Sequence, residues 1–283
     1  MALNSVNTNM GAMVALQSLQ STNTQLQAVQ KKVSTGYRVA DATDDGAAYA
    51  VAQGVRSSVG ALTSANTQLG NVAGLLSTTI AGLNNVSNTM TSMRNVLVKL
   101  SDGTTTGTDR ANYTQQFSSM LANVKSFIQD AAYNGKNLIG DLTGSNGTFT
   151  RVSVARNESG STFGIATFSG SALYGSIAFT STQLGGASTV QALITAGGTF
   201  LSKFNALSKE LNTVGSAVNF VKNQVSYNSD KIDALNGGLG SLVDADLAKE
   251  SAQLQALQIR QQLGTQALTL SNQAPSQLLS LFK

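Results

Sequence analysis

The 283-residue chain is long enough for one large or two modest domains, yet only 11% of it is charged and 6% aromatic, so its solubility rests on Ser, Thr, Asn and Gln. Histidine and cysteine are absent, which excludes disulfides, thiolate metal sites, the HExxH zinc motif and nucleophilic mechanisms that need a histidine base. The net charge of +4 comes from 18 scattered Lys and Arg residues, with Lys31-Lys32 the sole adjacent pair; no basic stripe tracks phosphates, and nucleic acid is not expected as a partner.

Met1 to Asn9 has neither a basic nor an apolar region of a signal peptide, and no apolar run reaches the ~20 residues that cross a bilayer, so no membrane partner is expected. From Leu3 the apolar positions Val6, Met10, Met13, Leu16, Leu19, Leu26, Val29 and Val33 follow helical spacing, with a slip in rhythm between Met13 and Leu19. The intervening face is uncharged until Lys31, which suits burial against other chains. Gly36 can stop this helix, and Asp41 to Asp45 offers N-cap oxygens for the next. Asp41, Asp45 and Gly46 match three positions of a calcium-binding EF-hand loop, but Thr43 and Ala52 occupy two ligand positions, so the carboxylates are read as caps.

Leu62, Ala65, Leu69, Val72, Leu76, Thr79, Leu83, Val86, Met90, Met93, Leu97 and Leu100 then recur at alternating steps of three and four. One helix over Leu62 to Leu100 would be roughly 60 Å long, which predicts a rod. Gly70, Gly74 and Gly82 are expected close-packing points, and Asp102-Gly103 ends the helix. A shorter run, Tyr113, Phe117, Met120, Val124, Phe127 and Ala131, closes at Asn134-Gly135-Lys136-Asn137. Gly135-Lys136 is no phosphate loop, because Asp130 and Asn137 stand at positions that motif reserves for glycine and a hydroxyl.

From Asp141 the period changes to two, and residues 149–155 and 162–168 predict a β-hairpin. Its loop contains a glycosylation-like Asn157-Glu158-Ser159, read as chance, and Gly170 to Gly186 is expected to protrude outward as irregular chain. Phe204, Leu207, Leu211, Val214, Val218, Val221, Val225, Asn228, Ile232, Leu235, Leu239 and Leu242 repeat the three-four seam, with Asn228 expected to fix register. Gly237 to Gly240 should loosen the chain before a last helix carrying Leu247, Leu254, Leu257, Leu263, Leu268 and Leu270. That helix is expected to close at Asn272-Gln273-Ala274-Pro275, leaving an apolar tail that needs a partner. Asp44, Asp45, Asp244, Asp246 and Glu250 could be read as the paired carboxylates of a sugar-cleaving enzyme, but all sit at predicted helix starts, where electrostatics explains them. The fold class is mainly α: long heptad-patterned helices in a rod-like bundle, with a small β-hairpin region in mid-chain.

The two ends together resemble bacterial flagellin. Ser34-Thr35-Gly36-Tyr37-Arg38 and Asp44-Asp45-Gly46-Ala47-Ala48 are similar to the family's amino-terminal motifs. Residues 244–250, Gln258 to Thr265, Asn272 to Pro275 and Leu278 to Phe282 resemble its carboxy-terminal signature. The resemblance implies that residues 1–42 and 243–283 pair as a coiled coil in the inner filament core. It likewise implies that 43–140 and 199–242 supply the surrounding helices, and that 141–198 holds the hairpin and a reduced surface region. The implied function is a subunit exported through the flagellar channel that polymerises into the filament for swimming; a hook-filament junction protein would share these termini. Implied partners are other copies of itself, the export apparatus and a secretion chaperone, and hook-associated and cap proteins, with an extracellular location. No catalytic, cofactor or metal residue is expected. Expected filament-core contacts are Met10, Met13, Leu16, Leu19, Leu254, Leu257, Leu278, Leu279, Leu281 and Phe282. The resemblance also implies weak recognition by a vertebrate innate receptor, with Ser92, Val96 and Gln116 on the outer face.

Overall fold

The computed structural model describes residues 8–281, with side chains described through residue 273. The helices are α1 (Met10–Thr35), α2 (Gly46–Leu100), α3 (Gly107–Asp130), α4 (Gly170–Ile177), α5 (Ser181–Gly185), α6 (Ala187–Ile194), α7 (Thr199–Val243) and α8 (Leu247–Leu281). Between α3 and α4 lie β1 (Ala132–Tyr133), β2 (Lys136–Asn137), β3 (Thr148–Phe149), β4 (Val152–Ala155) and β5 (Thr162–Ile165). The chain divides into two compact units, one holding the described residues up to Ser58 and from Asp233 onward, the other Val59–Ile232.

In the second unit every predicted seam position from Leu62 to Leu100 is buried. Thr79, the polar member, is satisfied within its own helix, its hydroxyl donating to the Leu75 carbonyl at 2.8 Å. From Leu69 on, the apolar seam residues share one core with Phe117, Val124 and Ile128 of α3, with Leu207, Val214 and Val221 of α7, and with Leu173, Ile177, Leu184 and Val190 of α4 to α6. Because so many elements pack on α2, its buried stripe is wider than a heptad seam. Val96, expected on the outer face, is 3% exposed and belongs to the core; Ser92 and Gln116 do lie on the surface.

The segment from Gly170 to Gly186, expected to protrude as irregular chain, instead forms short capped helices. The Ser169 hydroxyl accepts from the Ala172 amide at 3.1 Å, and Thr180 and Gln183 make a capping box. Each helix is too short to show a period, yet each buries an aliphatic side chain. The predicted hairpin is present, with β4 and β5 antiparallel in the register Val152 to Ile165 and Ala155 to Thr162. Asn157 closes its loop by accepting from the Ser161 amide at 2.9 Å. Asn228 is fully buried: its amide donates to Asn66 Oδ1 at 2.9 Å and to the Arg156 carbonyl at 3.0 Å, and accepts from Gln224 at 2.9 Å. It thereby fixes α7, α2 and the hairpin loop in one register.

Of the three glycines expected to allow close packing, a Cβ at Gly74 would lie 2.6 Å from the Tyr133 ring and one at Gly82 would lie 3.0 Å from Ala131 Cβ, whereas Gly70 faces open space. Arg110 closes the end of α2, its guanidinium donating to the carbonyls of Leu100 at 2.9 Å, Thr105 at 2.9 Å and Leu184 at 2.8 Å. One expected helix end, at Pro275, is overturned, whereas the helix expected to reach Leu242 ends one residue later. Helix α7 runs through Gly237 to Gly240 and stops at Val243, since glycine lowers helix propensity by only about 1 kcal/mol and neighbouring Leu239 and Leu242 are held by packing. Helix α8 continues through Pro275 to Leu281 rather than closing there.

Candidate assembly site in the terminal helix pair

Helices α1 and α8 form an antiparallel pair. Among the described side chains of the seam, Leu26, Val29 and Leu257 are buried, with Val33 and Leu254 packed against them. Toward the start of α1 the seam becomes polar and narrow. Gln261 donates to Asn23 Oδ1 at 2.7 Å, a Cβ at Gly264 would stand 3.2 Å from Leu19 Cδ1, and one at Gly11 would stand 2.8 Å from Ser271 Oγ. Glycine at both places lets the helices approach closely.

The pair leaves a large apolar surface uncovered. Met10, Met13, Val14, Leu16, Ile259, Leu263 and Leu270 are each more than half exposed. Val14, Leu19 and Leu263 line an open groove of about 700 Å³ along the pair, with Gln17 and Arg260 at its polar edge. An exposed apolar surface of this kind is what contact with another protein would take out of water.

The structure separates the expected filament-core residues into groups. Met10, Met13 and Leu16 are exposed, and Leu19 is half-buried against Gly264. Leu254 and Leu257 face α1 of the same chain. Leu278, Leu279 and Leu281 lie on α8 with side chains outside the described set, and Phe282 lies outside the described residues. Val14, Ile259, Leu263 and Leu270 join the exposed face although they were not expected there. Their helical spacing was visible; how little of each helix the partner would cover was not.

The two motifs flanking the pair interlock. Gly36, at φ +74°, ends α1. Beyond it Tyr37 forms an antiparallel bridge with Asp244, the Arg38 amide donates to the Val243 carbonyl at 2.8 Å, and the Ala245 amide donates to the Gly36 carbonyl at 2.9 Å. The Arg38 guanidinium also donates to the Leu242 carbonyl, and Val39 and Val243 are buried with Ala48 and Ala52. The break after α1 and the break before α8 thus satisfy each other's backbone groups. Tyr37 additionally stacks beneath the Arg56 guanidinium, 5.8 Å from the ring centroid.

Asp41, Asp44, Asp45 and Asp246 accept hydrogen bonds from backbone amides. Asp45 caps α2 by accepting from the Ala47 and Ala48 amides at 3.1 and 3.0 Å, and Asp246 caps α8 through the Ala248 and Lys249 amides at 3.0 and 3.1 Å. Glu250 lies beside Lys32 at 3.6 Å. Lys31 grips Asp41 at 2.6 Å and Asp44 at 2.9 Å. The Lys31 ammonium, followed by Thr43, holds the Asp41 carboxyl well below the usual range; Lys31 and the Ala40 amide lower Asp44, and the two carboxylates in turn raise Lys31.

The sign of the pH dependence follows. The depressed carboxylates contribute stability that is complete above their unfolded value of 3.8 and is lost as pH falls through the lower folded values. The raised lysine contributes stability that is complete below 10.5 and is lost as pH rises through its folded value. Lys31→Met is therefore expected to lower the urea midpoint relative to wild type at pH 7, with the gap shrinking below about pH 4. A gap that stays constant down to pH 2 would show that the charge pairing is not the source.

Comparison with known proteins agrees with this arrangement. A model of the bacterial flagellin N-terminal helical region matches residues 6–143, and one of the bacterial flagellin C-terminal helical region matches residues 188–282. Flagellin FljM of Caulobacter vibrioides is 32% identical over 100% of both chains. A flagellin of Brucella melitensis is 32% identical over 99% of both. Among solved structures, one described as a flagellar hook-associated protein of Vibrio parahaemolyticus has the same fold, with a TM-score of 0.56 at 16% identity, covering 71% of this chain and 100% of that one. The paired terminal helices, the interlocked motifs and the full-length relatives lead to one conclusion: the chain belongs to the bacterial flagellin family, whose members are structural, non-enzymatic subunits of the flagellar filament.

Proposed function

We propose that this flagellin joins the filament by burying the exposed methionine, leucine and isoleucine face of α1 and α8 against neighbouring copies. The observation that carries the reading is that face itself: seven large apolar side chains, from Met10 to Leu270, more than half exposed in the single chain. A subunit that binds its neighbours through non-matching patches makes contacts that do not close, which is the geometry of an open helical polymer. In this assignment residues 1–42 and 243–283 form the inner core, 43–140 and 199–242 surround it, and 141–198 faces outward. The apolar tail from Leu278 to Phe282 extends the inner contact. Export through the flagellar channel, delivery by a secretion chaperone, and contact with hook-associated and cap proteins complete the reading, on the strength of family membership.

Removing Leu278 to Lys283 tests the assignment. The truncated chain is expected to stay soluble and folded, because Leu26, Val29, Leu257 and the second unit's core are untouched, and to form no filaments when seeded. Electron microscopy and sedimentation after seeding provide the measurement, and normal filaments from the truncated chain would contradict it.

A further inference from the structure

Helix α8 contains Pro275 in its interior. In an α-helix the N–H of each residue bonds the carbonyl four positions earlier, so position 275 should serve Ser271; proline has no N–H, and that carbonyl loses its helical donor. The structure supplies one from elsewhere in the chain. Asn9 Nδ2 donates to the Ser271 carbonyl oxygen at 2.7 Å. The same side chain is the N-cap of α1, its Oδ1 accepting from the Ala12 amide at 3.0 Å.

We infer that Asn9 is a clasp: one amide both starts α1 and fills the hydrogen-bond gap that Pro275 leaves in α8, so the first turn of one helix and the proline turn of the other depend on each other. The chemistry is specific. A carboxamide offers a donor and an acceptor on one rigid plane, and here each meets its complement. Flipping the amide would set its NH₂ against the Ala12 N–H and its oxygen against the Ser271 carbonyl, so the surroundings fix the orientation. Gly11 permits the close approach, since a Cβ there would stand 2.8 Å from Ser271 Oγ. An aspartate would cap α1 as well as asparagine does, but would present an acceptor to an acceptor. The clasp therefore holds the start of α1 to the proline turn of α8 at the margin of the exposed apolar face, where Met10 and Leu270 are the adjoining residues.

A double-mutant cycle isolates the coupling. Asn9→Ser keeps a capping oxygen and removes the donor without setting a charged acceptor against the Ser271 carbonyl; Pro275→Ala restores the helical N–H to Ser271 and makes the donor redundant. The readout is amide hydrogen exchange of residues 10–20 in the full-length chain, followed in monomer and in seeded polymer. N9S is expected to speed exchange about tenfold in the proline background and less than twofold in the P275A background, in whichever state protects α1 in wild type. Equal acceleration in both backgrounds, no acceleration in either, or an α1 unprotected in both states of the wild type would overturn the clasp. A wild-type chain that never polymerises would instead count against the assembly reading, while exchange in its monomer still decides the clasp.

Discussion

Replacing Met13 and Leu263 together by aspartate is expected to abolish polymerisation while leaving the monomer folded. Both side chains are more than half exposed in the single chain, at 61% and 58%, so folding takes little of them out of water and each substitution should change monomer stability by only about 0.5 kcal/mol. The seam beneath them, Leu26, Val29 and Leu257, is untouched. In the polymer the same positions would be covered. Burying a methionine or leucine contributes about 1.5–3 kcal/mol, and an unpaired carboxylate in its place costs several kcal/mol more. Losses of that size at two positions raise the concentration needed for assembly by ~100-fold or more. Sedimentation after seeding measures the loss, and circular dichroism melting checks the monomer. Filaments at the wild-type concentration would show that this face is not the contact.

The largest effect on folding is expected from Asn137→Ala. Asn137 is fully buried, and its amide donates to the carbonyls of Ile128 at 3.3 Å, Gln129 at 3.4 Å and Asn146 at 3.2 Å, while its oxygen accepts from the Ile139 amide at 3.0 Å. It thus closes the end of α3 and anchors the loop that follows. Alanine strands the buried Ile128 carbonyl and Ile139 amide, at about 1–3 kcal/mol for each group, and frees the Asn146 carbonyl, while the Gln129 carbonyl keeps the Asn146 amide. A total of roughly 3–5 kcal/mol lowers the melting temperature by ~10 °C in a chain of this size. Aspartate should be no better, since its oxygens would face three carbonyls. A melting temperature within ~2 °C of wild type would contradict this role.

The long helices were legible because a three-four seam sustained over many turns admits few other structures: from Leu62 to Leu100 each seam residue is buried. The width of the buried stripe was not legible, since it depends on what packs beside the seam, and Val96 is therefore inside. Short elements left weak signals. Asn134 and Gly135, at φ +46° and +73°, turn β1 into β2 in the manner their sequence favours, but strands of two residues each show no alternation. Pro275 reads as a stop because a proline's cost is local, whereas its remedy, Asn9, lies at the far end of the chain. The bridge of Tyr37 to Asp244 is hidden for the same reason. For the assembly face, the sequence shows that α1 and α8 carry apolar residues; only the packed pair shows that Leu257 is consumed within the chain while Leu263 is left outside.

The chain has no cysteine, so a single Leu263→Cys substitution gives one thiol and one unambiguous reading of that face. The rate at which a maleimide labels that thiol, measured in the monomer and in seeded filaments, tests the assembly face most directly. Labelling should be rapid in the monomer, where Leu263 is 58% exposed, and at least ~10-fold slower in the filament, where a neighbouring subunit covers it. Equal rates in the two states would contradict the assignment of α1 and α8 as the surface through which this flagellin polymerises.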